Sequence, residues 1–213
     1  MAALEGAAPV RAGWASVRRI SSADELESAL KHPEVWLALV NPYAETLPIS
    51  RTLNSQTMLD AIRRFVQAGG YWIENGGYPF WTARNVDDAQ SPTISLGPAG
   101  LAFLGAAPSS IGLFTEPEVR LRPTPAGIAW LGRQWADLLA SCAARVNRPP
   151  QYPGADVILA EGAHGESYLA GWNLGGLGWF LRFCGGPVPQ KVALPFGVAL
   201  IQRLFQPAVA PRH

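Results

Sequence analysis

The chain has 213 residues, of which 48% are apolar and only 15% charged, and its formal net charge is +1. Chains that stay unfolded combine low hydrophobicity with high net charge, so this composition excludes a disordered chain, and it also excludes the charge-rich pattern of a coiled coil. The near-zero charge removes the electrostatic case for a nucleic-acid partner or an anionic membrane.

Residues 1–16 are Ala-, Gly- and Pro-rich and read as an N-terminal arm. Residues 17–20 predict a short strand. Ser21 and Ser22 supply capping hydroxyls, and Asp24 and Glu25 place acids in a first helical turn, where the helix dipole favours them. Leu26 and Leu30 share one face of that helix, and Pro33 ends it. Residues 35–40, Val-Trp-Leu-Ala-Leu-Val, form a continuous apolar run. Such a run suits a strand buried on both faces. Residues 41–45 are the loop at its carboxyl end. Met58, Leu59, Ile62, Phe65 and Val66 recur at helical spacing over 55–68, and Gly69-Gly70 stops that helix. A strand at 71–74 then runs into Asn75-Gly76-Gly77-Tyr78-Pro79-Phe80-Trp81.

This alternation predicts an α/β domain with a flavodoxin-like, doubly wound, mainly parallel sheet. Right-handed crossovers bring the loops 41–45 and 75–81 together at one sheet edge. Residues 82–125 read as an irregular insertion with turn signals at Pro92, Gly97-Pro98 and Pro108-Ser109-Ser110, and short strands at 93–95 and 119–122. Residues 126–146 predict a helix with Ile128, Leu131, Trp135, Leu138, Leu139 and Cys142 on its buried stripe, ended by Arg148-Pro149-Pro150. A strand follows at 157–160. Two apolar-aromatic runs, 167–174 and 177–183, flank Gly175-Gly176 and predict a C-terminal antiparallel hairpin. A closing helix spans 192–205. Residues 17–206 thus read as one domain, followed by a tail at 207–213.

No apolar run approaches the ~18 residues of a membrane span. The start lacks a charged segment followed by an apolar one, so it does not read as a signal peptide, and the expected location is cytoplasmic. Cys142 and Cys184 do not make a disulfide framework. With His32, His164 and His213 the only histidines, no metal site is expected. Neither a P-loop nor GxGxxG occurs, so no cofactor is expected.

The segment FVQAGGYWIENGG, residues 65–77, resembles the helix, Gly-Gly, strand and elbow of the class I glutamine-amidotransferase-like superfamily, and the ThuA-like members most. The hairpin with its Gly-Gly tip, then Phe183-Cys184-Gly185-Gly186 and a last helix, fits the same layout. VNPYAETLP, residues 40–48, looks like a loop of carbohydrate-associated bacterial members. The resemblance implies a cysteine nucleophile on the elbow, beside backbone N–H groups that stabilise an oxyanion. This elbow reads Ile73-Glu74-Asn75-Gly76-Gly77 and carries neither Cys nor Ser. Glutamine hydrolysis by that route is therefore not expected. His164-Gly165-Glu166 has the H-x-E spacing of the amidotransferase triad, but also reads as a turn before the hairpin.

Asn41, Tyr43, Glu45, Glu74, Asn75, Tyr78 and Trp81 fall on the two loops that meet at the sheet edge. Amides, carboxylates and aromatic rings without Lys or Arg suit a neutral polyhydroxyl ligand better than a phosphate. The first expectation is thus a catalytically degenerate, amidotransferase-like domain that binds a ligand such as a carbohydrate or serves assembly. The second is a carbohydrate-modifying or hydrolytic enzyme using Glu45, Glu74, His164 and Glu166 as acid and base. The third is a structural subunit, as a homo-oligomer or with a protein partner. Of eight tryptophans, Trp36, Trp72, Trp130, Trp135 and Trp179 are expected in the core. Trp14, Trp81 and Trp172 are expected to be partly exposed, free to stack on a ligand or anchor an interface.

Overall fold

A computed structural model describes residues 16–50, 52–88, 90–105, 114–147, 152, 154–186 and 189–205. Trp14, Pro108-Ser109-Ser110, Arg148-Pro149-Pro150 and the tail 207–213 lie outside the described residues. The helices are α1 (Ala23–Leu30), α2 (Ser55–Gln67), α3 (Pro98–Ala102), α4 (Pro125–Ala140) and α5 (Gln190–Leu204). The strands are β1 (Ala38–Asn41), β2 (Thr46–Ile49), β3 (Tyr71–Glu74), β4 (Thr82–Asn85), β5 (Ile94–Ser95), β6 (Val119–Pro123), β7 (Ala143–Ala144), β8 (Val157–Gly162), β9 (Ser167–Trp172) and β10 (Trp179–Phe183).

The helices start where capping chemistry dictates. The Ser22 hydroxyl accepts from Glu25 N at 3.1 Å, and the Asn54 side chain accepts from Thr57 N at 3.0 Å. Met58, Leu59, Ile62, Phe65 and Val66 of α2 are all buried, and burying each such side chain is worth roughly 1.5–3 kcal/mol. Seven strands form one sheet in the order β1-β3-β10-β9-β8-β6-β7. Side chains alternate across it. Leu39, Trp72 and Phe180 pack with α1, α2, β2 and β4, whereas Ile73, Leu181 and Leu159 pack with α4 and α5.

The chain is mixed α/β as expected, but the sheet is mixed rather than mainly parallel. β1–β3 and β3–β10 pair in parallel, while β10–β9, β9–β8, β8–β6 and β6–β7 are antiparallel. The reason is that the hairpin β9–β10 inserts beside β3, and every strand beyond it joins antiparallel. The 82–125 segment also carries regular structure. β4 pairs in parallel with β2 and antiparallel with β5 in a second, three-stranded sheet.

Three local expectations change. Residues 17–20 are not a strand, because Ser21 N and the Arg18 guanidinium both bind the Glu25 carboxylate instead of a neighbouring strand. The run 35–40 does not become a doubly buried strand. Val35 N and Trp36 N bond to His32 O in a turn, and β1 is an edge strand with Val40 59% exposed. α4 stops at Ala140 rather than 146, because Cys142 O accepts from Leu121 N and draws the chain into β7. Trp72 and Trp135 are core as expected, Trp36, Trp130 and Trp179 are half-buried, and Trp172 is buried rather than partly exposed. It is sealed by the edge-on rings of Tyr152 and Phe180.

Candidate site at the carboxyl edge

The carboxyl ends of β1, β3 and β10 lie side by side, and their register places Asn41 beside Glu74 and Glu74 beside Arg182. All three are buried, Glu74 and Arg182 at 0% exposure. Glu74 Oε2 accepts from Arg182 Nη1 at 2.5 Å. Arg182 Nη2 donates to the backbone carbonyls of Gly77 and Gly76. Asn41 Nδ2 donates to Thr46 O at 3.1 Å and lies 3.4 Å from Glu74 Oε1, while its Oδ1 accepts from Tyr43 N. Burial pushes the Glu74 carboxyl up to about 7, against the pull of Arg182. No solute reaches this carboxyl, so Glu74 is neither a ligand contact nor an accessible acid, contrary to both sequence roles. Its place is beneath the site, where it holds the arginine that holds the elbow.

The elbow itself is closed. Gly76 and Gly77 have φ +94° and +71°, a left-handed run that side chains resist. Gly77 N donates to Gly185 O at 2.8 Å. Tyr78 N donates to Glu45 Oε2 at 3.1 Å. Two amides of the elbow are thus already bonded within the protein. A Cβ on Gly76 would stand 3.1 Å from Gly186 O and 3.2 Å from Gly185 O, so a side chain there meets backbone rather than substrate.

The loops 41–45 and 75–81 do meet, through the Glu45 carboxylate on the Tyr78 amide. Above this contact lies a row of half-buried rings. The Tyr78 centroid is 5.4 Å from Trp81 and 5.3 Å from Phe114. The Arg145 guanidinium sits 5.7 Å over Phe114 and pairs with Glu116. Burial, and then the charge of Glu45, raise the Tyr78 hydroxyl above its usual range. Tyr43 is 54% exposed in the loop 41–45, and Asn75 is half-buried in the elbow.

His164 and Glu166 belong to the turn between β8 and β9. The exposed His164 donates its backbone N–H to Glu166 Oε2 at 3.0 Å, a bond that holds a turn and is not the carboxylate–imidazole contact of a triad. They line a separate cleft of about 320 Å³ with Thr115, Glu116, Glu118 and Arg120. Cys184 is fully buried, and burial pushes its thiol up to about 12, the wrong direction for a nucleophile. Among the described residues no three His, Cys, Asp or Glu side chains group to hold a metal ion, and no helix is long and apolar enough to cross a membrane.

Arg182, Phe114 and Arg145 were not anticipated from the sequence. Arg182 had a signal: an arginine inside the apolar run Trp-Phe-Leu-Arg-Phe demands a buried partner. Phe114 and Arg145 had none, since only the fold brings them to the elbow. No family model matches this chain, and a search of curated proteins returns no match.

Proposed function

We propose that this chain is an amidotransferase-like, doubly wound domain without amidotransferase chemistry, and that its carboxyl edge binds a neutral polyhydroxyl ligand, a carbohydrate. The observation that carries this reading is the half-buried row Trp81–Tyr78–Phe114 beside the Glu45 carboxylate. Sugar rings present C–H faces that stack on aromatic rings and hydroxyls that donate to carboxylates. The lack of Cys or Ser in the elbow Ile73-Glu74-Asn75-Gly76-Gly77 argues in the same direction, away from acyl transfer. The acid–base reading is weakened by Glu74, which is shut in its pair with Arg182.

Isothermal titration of the protein against a panel of neutral mono- and oligosaccharides tests the proposal. Tyr78→Ala and Trp81→Ala should each weaken binding about tenfold, the equivalent of ~1.4 kcal/mol of stacking. A panel without a binder, or a binder indifferent to both substitutions, would remove the reading.

A further inference from the structure

Among the described residues, four of the six exposed large apolar side chains lie in one short stretch: Val35 at 70%, Leu37 at 38%, Val40 at 59% and Tyr43 at 54%. That stretch contains β1, the outer strand of the seven-stranded sheet. Tyr71 N donates to Leu37 O, and the parallel register with β3 turns the backbone groups of Leu37, Leu39 and Asn41 inward. The N–H and C=O groups of Ala38 and Val40 therefore point away from the sheet. Proteins guard such edges with lysine, proline or a bulge. Ala38–Asn41 has none of these, and residues 35–43 carry no charge.

We propose that this edge pairs with the same edge of a second copy of this chain, antiparallel about a two-fold axis, joining the two large sheets into one. Two-fold symmetry with the sheet faces preserved requires residues of like parity to oppose each other. One register keeps every bond within β1: Ala38 opposite Val40 of the other copy, and Leu39 opposite Leu39. It satisfies both outward N–H and both outward C=O groups of each copy, four hydrogen bonds in all by this pairing rule. Val40 then covers the small Ala38 across the junction, a large-on-small match. The absence of charge selects a second copy over a charged partner. Like charges facing across a symmetric edge repel, and here there are none, whereas an acidic or basic partner finds no counter-charge.

Sedimentation velocity on the full chain should give a dimer, and Val40→Lys should weaken it by on the order of tenfold or more with an unchanged circular dichroism spectrum. The paired variant Ala38→Cys plus Val40→Cys should form a covalent dimer on mild oxidation, since only this register places those two positions opposite each other. The two native cysteines are buried and do not compete. A monomer at all concentrations overturns the proposal, as does a dimer indifferent to Val40→Lys or one in which the paired cysteines stay reduced. Hydrogen exchange separates the remaining case: a monomer whose Ala38 and Val40 amides are protected has its edge covered by another segment of its own chain, and the proposal then fails.

Discussion

The Glu74–Arg182 pair offers the sharpest quantitative test. Both side chains are at 0% exposure, so each charge has lost its water. In such a pair the desolvation penalty can exceed the Coulombic gain. For Glu74 it does, since burial carries its pKa from 4.5 to about 7 despite the arginine, whereas, against burial, Tyr152 and Glu74 hold the Arg182 pKa above its usual value. A group whose folded pKa is raised stabilises the fold through its protonated form. That contribution is complete below the unfolded pKa and is lost as pH rises through the folded one. Stability should therefore fall between about pH 4.5 and 7, with most of the loss by neutrality. A shift of about 2.5 units corresponds to about 3 kcal/mol, a large fraction of a typical total of about 5–15 kcal/mol. Glu74→Gln mimics the protonated acid and keeps an oxygen for Arg182. Urea unfolding at a series of pH values should show Glu74→Gln within about 1 kcal/mol of the parent near pH 5, and at least as stable near pH 8. Arg182→Met should behave oppositely. It strands the Glu74 carboxyl and the Gly76 and Gly77 carbonyls, and should cost about 3–5 kcal/mol at pH 8 but less at pH 5. A parent curve that is flat over this range, or a Glu74→Gln curve as steep as the parent, would refute the reasoning.

Two further outcomes follow from the same region. Gly77→Ala puts a Cβ 2.7 Å from Glu45 Cβ at φ +71°, so it should cost about 1–3 kcal/mol in a thermal melt and weaken saccharide binding with it. An unchanged melting temperature would mean that the loops do not touch. Both cysteines are buried and the Cys184 thiol is raised to about 12, so a thiol reagent should label neither in the native protein and both in denaturant. Rapid native labelling of Cys184 would reopen the case for a nucleophile there.

What the sequence revealed, it revealed through local chemistry. The Ser22 cap, the apolar stripe of α2, and the glycines at the hairpin tip act within a few residues, and each element stands where those signals put it. The meeting of the loops 41–45 and 75–81 was legible too, because two parallel strands joined by α2 admit one arrangement of their carboxyl ends. Strand neighbours were not. Nothing within the run 35–40 tells an edge strand from a central one, since both are apolar. Only the pairing partners, β3 on one side and none described on the other, separate them. Trp172 misled for the same reason. It lies three residues before the Gly175-Gly176 tip, but Tyr152 arrives from the segment before β8 to cover it.

Glu74 shows what remains hidden. Read beside Asn75 and Tyr78, it looks like an accessible carboxylate, because its partner lies 108 residues further along the chain. With that partner in place, the same carboxylate becomes the anchor of a relay. Glu74 orients Arg182, Arg182 holds the carbonyls of Gly76 and Gly77, and those glycines fix the start of the turn that presents Tyr78 and Trp81. An apolar pair often matches a buried ion pair in stability, but here it forgoes the bonds Arg182 makes to the backbone. It would leave the two elbow carbonyls without donors, and the ring row without a fixed base. The buried charges are thus better explained by the geometry they impose than by any stability they add. On that account Arg182→Met should disturb saccharide binding by moving the rings even at pH 5, where its cost to the fold is smallest.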